Sequence, residues 1–365
     1  MIMKMQILDF TIEELEWLFP DLGMQAYRAR QVLDWLYKGV TDFKDMKNLP
    51  ADIQEKLDEE FEIYNPKIVR EQVSKEDGTR KFLLEYSDGN AIETVFMKYK
   101  YGNSICVSSQ AGCRMGCKFC ASTLNGLSRD LTSGEILAQL LTVERAVKNS
   151  LASEKGEASS KEIDPKEWKI NHIVVMGTGE PFDNYLNVMR FIQTVHDPRW
   201  LNISNRNITV STCGVVSMLK LFAEDCPQVN LAISLHATTD DVRSSMMPIN
   251  RMFPIEKIME AAKEYTKKTK RRITFEYTMV NGVNDSDEDV KRLANLLKGM
   301  LCHVNLIPLN KVEGTGFDTV SRKRAEEFAE ILEKAGIAAT VRRELGADID
   351  AACGQLRLKK NQNRH

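Results

Sequence analysis

Four of the chain's eight cysteines, Cys106, Cys113, Cys117 and Cys120, fall within the stretch Ser104 to Ser122, and the last three are spaced C-x3-C-x2-C. Thiols gathered this closely are suited to holding metal. Structural zinc takes four closed ligands, commonly as two separated C-x2-C pairs or a Cys/His mixture, and no second pair stands nearby. Iron–sulfur clusters are also held by Cys thiolates, and three thiolates on a four-iron cluster leave one iron open for chemistry. A non-catalytic zinc protein and an iron–sulfur enzyme are the first two readings.

The elements around this stretch follow from hydrophobic period and turn chemistry. Between Thr11 and Glu60, TIEELEWLF, YRARQVLDWLYK and ADIQEKLDEEF repeat apolar residues at helical spacing, with Pro20 and Pro50 as breaks. Tyr27, Arg28, Arg30 and Lys38 on the second of these are a candidate phosphate-contacting face or a solvated one. From Lys67 to Val107 the period becomes that of strands, divided at Asp77-Gly78, Asp88-Gly89 and Tyr101-Gly102, and Asp-Gly between such runs signals hairpins. A small antiparallel sheet is expected to lead into the cysteines.

Beyond Cys120 the chain alternates. Strands are expected at 171–176, 207–213, 229–235, 273–280, 303–309 and 339–344, with helices at 133–148, 185–197, 254–269, 286–299 and 322–335; Thr132 and Glu135 form a capping box. The polar stretch 149–166 is expected to be a surface loop without function. Such alternation gives a parallel sheet, open or curled into a barrel, whose functional residues stand at the C-terminal strand ends. Those ends carry Gly179-Glu180, Ser211, Ser234-Leu235-His236 and Asn310. A single G-x-G or a lone histidine says little, but polar clusters at four matching ends mark a site.

At 365 residues and net charge -2, the composition is that of a globular protein and argues against a bulk polyelectrolyte binder, though not against local basic patches. Such patches stand at Lys267 to Arg272 and among Arg322, Lys323, Arg324, Arg342, Arg343, Arg357, Lys359 and Lys360. The first residues lack a long apolar core and no window is long enough to cross a membrane, so a cytoplasmic location is expected. Clustered cysteines fit a reducing compartment.

The cysteine spacing, with Phe119 before the last ligand, resembles the signature of radical S-adenosylmethionine (SAM) enzymes. Further, CVSSQAGC (106–113), GEP (179–181), ISLHA (233–237), MPIN (247–250), VNLIPLN (304–310) and DIDAACGQL (348–356) together resemble the RlmN/Cfr family of RNA adenine methyltransferases over nearly the full length. The resemblance implies a partial (β/α)6 barrel over 106–346, an N-terminal helical accessory domain over 1–64 that contacts RNA, a small β extension over 65–105, and a C-terminal segment over 347–365. It implies a [4Fe-4S] cluster on Cys113, Cys117 and Cys120. SAM is implied at Gly179, Glu180, Ser211, Ser234, Leu235, His236 and Asn310, with two molecules used per methylation.

Cys353 is implied to accept a methyl group, Cys106 to deprotonate the adenine carbon and later form a transient disulfide with Cys353, and Glu93 to be a proton acceptor. GTGEPFDN and SLHATTDDVRSSMMPIN are closer to the housekeeping branch, whose members methylate C2 of an adenosine in 23S rRNA and, in some cases, an adenosine of certain tRNAs. The resistance branch methylates C8. A low-potential electron donor such as flavodoxin or ferredoxin is implied as partner. A radical SAM enzyme acting on something other than RNA is the remaining alternative. Cys213, Cys226 and Cys302 match no family role and are expected in the core.

Overall fold

The computed structural model describes residues 4–155, 168–310, 316–343 and 345–349. Strand β1 (Met5–Gln6) is followed by helices α1 (Ile12–Asp21), α2 (Arg28–Tyr37) and α3 (Ala51–Glu60), and β2 (Phe61–Glu62) then pairs in parallel with β1. A capping box starts α1, with Thr11 Oγ1 accepting from Glu14 N–H and the Glu14 carboxylate accepting from Thr11 N–H. The break expected at Pro20 falls later. Helix α1 runs through it to Asp21, where a proline in the final turn forfeits one backbone bond and Gly23 N–H closes the end on Pro20 O. Pro50 is the N-cap of α3.

Strands β3 (Lys67–Val73), β4 (Arg80–Glu85), β5 (Ala91–Tyr99) and β6 (Gly102–Val107) form the expected meander, with Gly78 and Gly89 at positive φ in its first two turns. It is not a separate sheet. Strand β6 also pairs in parallel with β9 (Ile170–Val175), so the meander continues into the parallel strands across what the sequence suggested was a boundary at 105 and 106. The short strands β7 (Gln110–Gly112) and β8 (Leu127–Asp130) bracket the cysteine loop.

Helix α4 (Ser133–Lys155) precedes β9 and begins at the Thr132–Glu135 capping box. It extends through Asn149–Lys155, which the sequence suggested was loop, because Leu151 and Ala152 still pack inward. The alternation continues through α5 (Tyr185–His196), β10 (Ile208–Thr212), α6 (Val216–Asp225), β11 (Asn230–Ser234), α7 (Asp240–Met246), α8 (Ile255–Thr269), β12 (Ile273–Met279), α9 (Asp287–Leu297), β13 (Cys302–Pro308), α10 (Arg322–Lys334) and β14 (Ala339–Val341). Helices α6 and α7 were not legible in the sequence. The sheet runs β14-β13-β12-β11-β10-β9-β6-β5-β4-β3, parallel from β14 to β6 and antiparallel beyond.

Register divides the sheet into two faces. Ile105, Ile173, Ile208, Val210, Leu231, Ile233, Phe275 and Val304 share one face, are buried, and belong to the main core. The other face carries Glu93, Cys106, Ser211, Ser234, Glu276 and Asn305. A parallel sheet polar along one face is lining a working interior. The N-terminal module is fixed to the barrel: Asp9 Oδ1 accepts from Gly134 N–H at the start of α4 (2.8 Å), Arg190 and Arg199 of the barrel pair with Glu14 and Glu13, and Trp200 Nε1 donates to Leu33 O (3.0 Å). Among the described residues no helix is long and apolar enough to cross a membrane.

Candidate active site

The cysteine loop is shaped by its own backbone. Cys113 N–H donates to Gly126 O (3.0 Å), Cys120 N–H to Cys117 O (3.1 Å), and Thr123 Oγ1 to both Cys117 O and Cys120 O (3.0 and 2.9 Å). Lys118 N–H reaches across to Met246 O at the end of α7 (2.9 Å). Burial pushes the Cys113 thiol up to about 12 and raises those of Cys117 and Cys120; the charge of a neighbouring thiolate further opposes ionisation of Cys113 and Cys117, and that of Glu93 opposes ionisation of Cys120. Two buried thiols and a half-buried one on a single loop suit a cationic iron core, which favours the thiolate forms. Ser122 Oγ, two residues from Cys120, is buried without a hydrogen-bond partner.

Among the described residues, no three His, Cys, Asp or Glu side chains converge as a single-ion site. A four-iron cluster instead takes each thiolate on a different iron.

The turn after β9 lies against this loop. Thr178 N–H donates to Ser108 Oγ (2.8 Å), Ser109 N–H to Thr178 O (2.9 Å), and Glu180 N–H to Gln110 Oε1 (2.8 Å). Gly179 takes φ +112°, and a Cβ there would meet Gln110 Cβ at 2.7 Å, so the two backbones approach only because the residue is glycine. The Glu180 carboxylate is buried and accepts from Phe182 N–H (3.0 Å) and Cys213 N–H (2.7 Å); burial outweighs these bonds and raises its pKa. Ser211 and Ser234 are half-buried on the inner face, Leu235 is buried, and Asn310 is exposed just beyond β13.

His236 is buried at φ +57°, its Nδ1 accepting from Thr278 N–H (2.9 Å) and its ring meeting Phe119 edge-on at 5.1 Å. Burial, then the nearby Arg243 cation, pull its pKa down to about 3, so it is neutral with the remaining proton on Nε2. The strand-end residues from Gly179 to His236 thus sit on β9, β10 and β11 beside the cysteine loop.

Cys106 and Glu93 belong to the adjoining wall. Val95 is the register partner of Cys106 and stands two residues from Glu93, so the thiol and the carboxylate are diagonal neighbours on one face. Cys106 is half-buried, and buried Glu93 pairs with fully buried Lys81 at 3.4 Å. Lys81 was not anticipated: in RKFLLE it reads as an ordinary outward strand lysine. Glu276 was missed for the same reason, although period-two alternation in ITFEYTM places it inward; it is buried and accepts from Asn305 Nδ2 (2.8 Å).

Cys353 lies outside the described residues. The segment before it is held to the β3–β4 turn, with Gly346 N–H donating to Asp77 Oδ2 and Lys75 N–H to Asp348 Oδ2, both at 2.9 Å. Burial raises the pKa of the Tyr99 phenol, on the same strand as Glu93.

Cys213, Cys226 and Cys302 are buried as expected. The basic residues divide: Arg322, Lys323 and Arg324 pair with Glu326, Glu327 and Asp287, whereas Arg342 and Arg343 are exposed. Arg28 stacks on exposed Tyr27 (4.9 Å), and Lys38 lies over Trp35 (4.8 Å). Arg357, Lys359 and Lys360 lie outside the described residues.

A parallel barrel with C-x3-C-x2-C just beyond its first parallel strand is the architecture of a radical SAM enzyme, and residues 107–295 match the Radical SAM superfamily. Residues 5–63 match the ribosomal RNA large subunit methyltransferase N-terminal domain. A probable dual-specificity RNA methyltransferase RlmN from Clostridium botulinum (strain Eklund 17B / Type B) is 50% identical over 351 residues, 96% of each chain. Its namesake from Clostridium perfringens (strain SM101 / Type A) is 51% identical over 352 residues, again 96% of each. The crystal structure of a radical SAM methyltransferase from Sphaerobacter thermophilus superposes with a TM-score of 0.87 at 42% identity, covering 96% of this chain and 98% of the other. The chain belongs to the RlmN family of radical SAM RNA methyltransferases, with a [4Fe-4S] cluster and SAM as its cofactors.

Proposed function

We propose that the protein methylates C2 of an adenosine in 23S rRNA, and an adenosine of certain tRNAs, through a methyl group carried on Cys353. The observation that carries this reading is the juxtaposition of Cys106 and Glu93 on one inner wall, with the chain leading to Cys353 fastened to the β3–β4 turn of the same meander. From Ile349 to Cys353 is four residues, a reach of at most about 14 Å, so the tether restricts where the Cys353 sulfur travels. The names of the relatives, dual-specificity RNA methyltransferases, support RNA as the substrate class and two kinds of RNA as targets.

Adenine C2 is electron-poor and cannot attack an electrophilic methyl group, which is why a plain transfer from SAM fails. The bound cofactors supply a methyl group and, at the cluster, a 5'-deoxyadenosyl radical. Cys353 takes the methyl as a nucleophilic thiolate. After hydrogen abstraction its carbon adds to C2, joining protein and RNA. The adduct radical loses one electron, for which the oxidised cluster would be the acceptor, and its C2 proton, which Cys106 removes with Glu93 as acceptor beside it. The Cys106 thiolate then attacks the Cys353 sulfur, and the carbon that is freed takes up a proton to become the methyl group. The methylated RNA leaves, and a Cys106–Cys353 disulfide remains to be reduced by thiol exchange.

Cys113, Cys117 and Cys120 are the cluster ligands in this reading. Gly179 and Glu180 serve the SAM amino group, Ser211 its ribose or carboxylate, and Ser234 to His236 with Asn310 complete the site. Its organisation is a barrel over 106–346 with an RNA-contacting module over 1–64, the extension 65–105 and the carrier segment 347–365. A flavodoxin- or ferredoxin-like donor supplies the electron, and the compartment is the cytoplasm. The target base has to be unstacked to reach the interior. Mass spectrometry of rRNA and tRNA from a deletion strain tests the assignment: loss of 2-methyladenosine from both is expected, and loss of 8-methyladenosine instead would overturn it in favour of the C8 branch.

A further inference from the structure

Arg243, on α7, is fully buried and makes hydrogen bonds with five acceptors. Its Nε donates to Leu235 O (2.9 Å), its Nη2 to Cys213 O (2.8 Å) and Ser234 O (3.0 Å), and its Nη1 to Asn250 Oδ1 (2.9 Å) and Phe253 O (3.4 Å). Asn250 is itself held, donating through Nδ2 to Asp240 Oδ1 (2.9 Å) and Ser244 Oγ (2.9 Å). The guanidinium therefore ties the ends of β10 and β11 to one point. The acceptors it touches directly are carbonyl and amide oxygens, and the Asp240 carboxylate lies one hydrogen bond further on, held by Asn250, where it offsets part of the charge.

That charge lies next to the cysteine loop. Cys213, whose carbonyl Arg243 holds, packs in one apolar cluster with Cys117, Met246 and Met247, and Lys118 N–H bonds Met246 O three residues beyond Arg243 on the same helix. The Cys213 N–H in turn donates to Glu180 Oε2, so one residue links the buried guanidinium to the buried carboxylate. A guanidinium keeps its full charge at neutral pH even when buried, and the Cys213 carbonyl it binds belongs to the residue packed with Cys117. In a dry interior such a charge acts over longer range than in water.

We propose that Arg243 is a positioning residue that also acts electrostatically. It braces the strand ends of the SAM site and, as a fixed buried cation beside the Cys117 thiolate, raises the reduction potential of the cluster. Reduction adds one negative charge to the cluster, and a neighbouring positive charge favours the more negative state. The inference rests on Cys113, Cys117 and Cys120 being the ligands.

The test is an anaerobic, EPR-monitored redox titration of iron-loaded wild-type, Arg243→Met, Arg243→Lys and Asn250→Asp proteins, each with its iron content measured. The midpoint is expected to move to more negative potential in Arg243→Met and to stay near wild type in Arg243→Lys, which keeps the charge and loses most of the bonds. Asn250→Asp is expected to move it the same way as Met, since it places a carboxylate against an intact Arg243, and it decides the matter if Arg243→Met fails to fold. A wild-type midpoint in whichever neutralised variants load iron, or a shift as large in Arg243→Lys as in Arg243→Met, would overturn the proposal. Failure of the ligand assignment would look different: Cys113→Ser, Cys117→Ser and Cys120→Ser would load as much iron as wild type.

Discussion

The parallel strands β6 and β9 to β14 and the antiparallel strands β3 to β5 share one sheet, yet they organise chemistry by different means. On the parallel side the groups are fixed by backbone: Glu180 is clamped by two amide N–H groups, His236 by Thr278 N–H, and the cysteine loop by its own peptide bonds. On the antiparallel side one contact joins two buried side-chain charges, Lys81 against Glu93, and the others tie the chain's far end to a turn, Asp77 accepting from Gly346 N–H and Asp348 from Lys75 N–H. The first arrangement is rigid and suits holding cofactors. The second includes contacts between segments distant in the chain, suited to guiding a segment that has to deliver a sulfur.

Substitutions on the two sides should therefore fail differently. The largest effect is expected for Cys353→Ala, which abolishes methylation and all covalent protein–RNA adduct while leaving iron content unchanged; methylation of RNA by this variant would break the two-cysteine account. Glu93→Gln keeps the shape of the wall and removes the acceptor, and a loss on the order of 100-fold in kcat is expected, the usual scale of general acid–base catalysis, with SAM binding unaffected. A proportional loss of SAM affinity would place Glu93 on the cofactor side of the comparison instead.

Asp77→Ala loosens the tether without touching the reacting groups. A fall of several-fold in kcat is expected, with the methyl still loaded onto Cys353 in the absence of RNA. Each hydrogen bond of this kind is worth about 1 kcal/mol net, and unchanged turnover would show that the tether does not guide the segment.

The smallest effect concerns stability on the parallel side. His236 has a folded-state pKa of about 3 against an ordinary value near 6.5, so the unfolded chain binds the proton first. Stability is whole above pH 6.5 and is lost as pH falls from there toward 3, by about 2 kcal/mol between pH 7 and 5. His236→Asn should flatten that slope, measured as the change in denaturant midpoint between the two pH values. An unaltered slope would show that His236 is not buried as a neutral ring.

Much of this contrast was legible in the sequence, and the exceptions have physical causes. The Asp-Gly hairpins, the Thr132–Glu135 cap, the six later strands and the polar strand ends are local signals and were readable. That the meander joins the barrel depends on β6 pairing with β9, residues 170 onward, and no local pattern encodes a partner so distant. Arg243 sits among Asp240, Asp241 and Ser244 in a polar run with no readable helical period, and only the fold shows that the strand-end carbonyls it binds are inside. Lys81 and Glu276 are charged positions beside apolar ones in their strands, a pattern that marks the solvent face of an ordinary sheet and the working interior of a barrel alike. Helices α6 and α7 are short and flanked by the site's own turns, which hid their period.

The most direct test of the central claim is to incubate Cys106→Ala protein with SAM, reductant and target RNA, then digest and analyse the product by mass spectrometry. The account predicts that a covalent adduct accumulates, linking the Cys353 sulfur through one methylene carbon to adenine C2, because the thiol that resolves it is gone. Release of free methylated RNA at the wild-type rate, with no adduct, would contradict it.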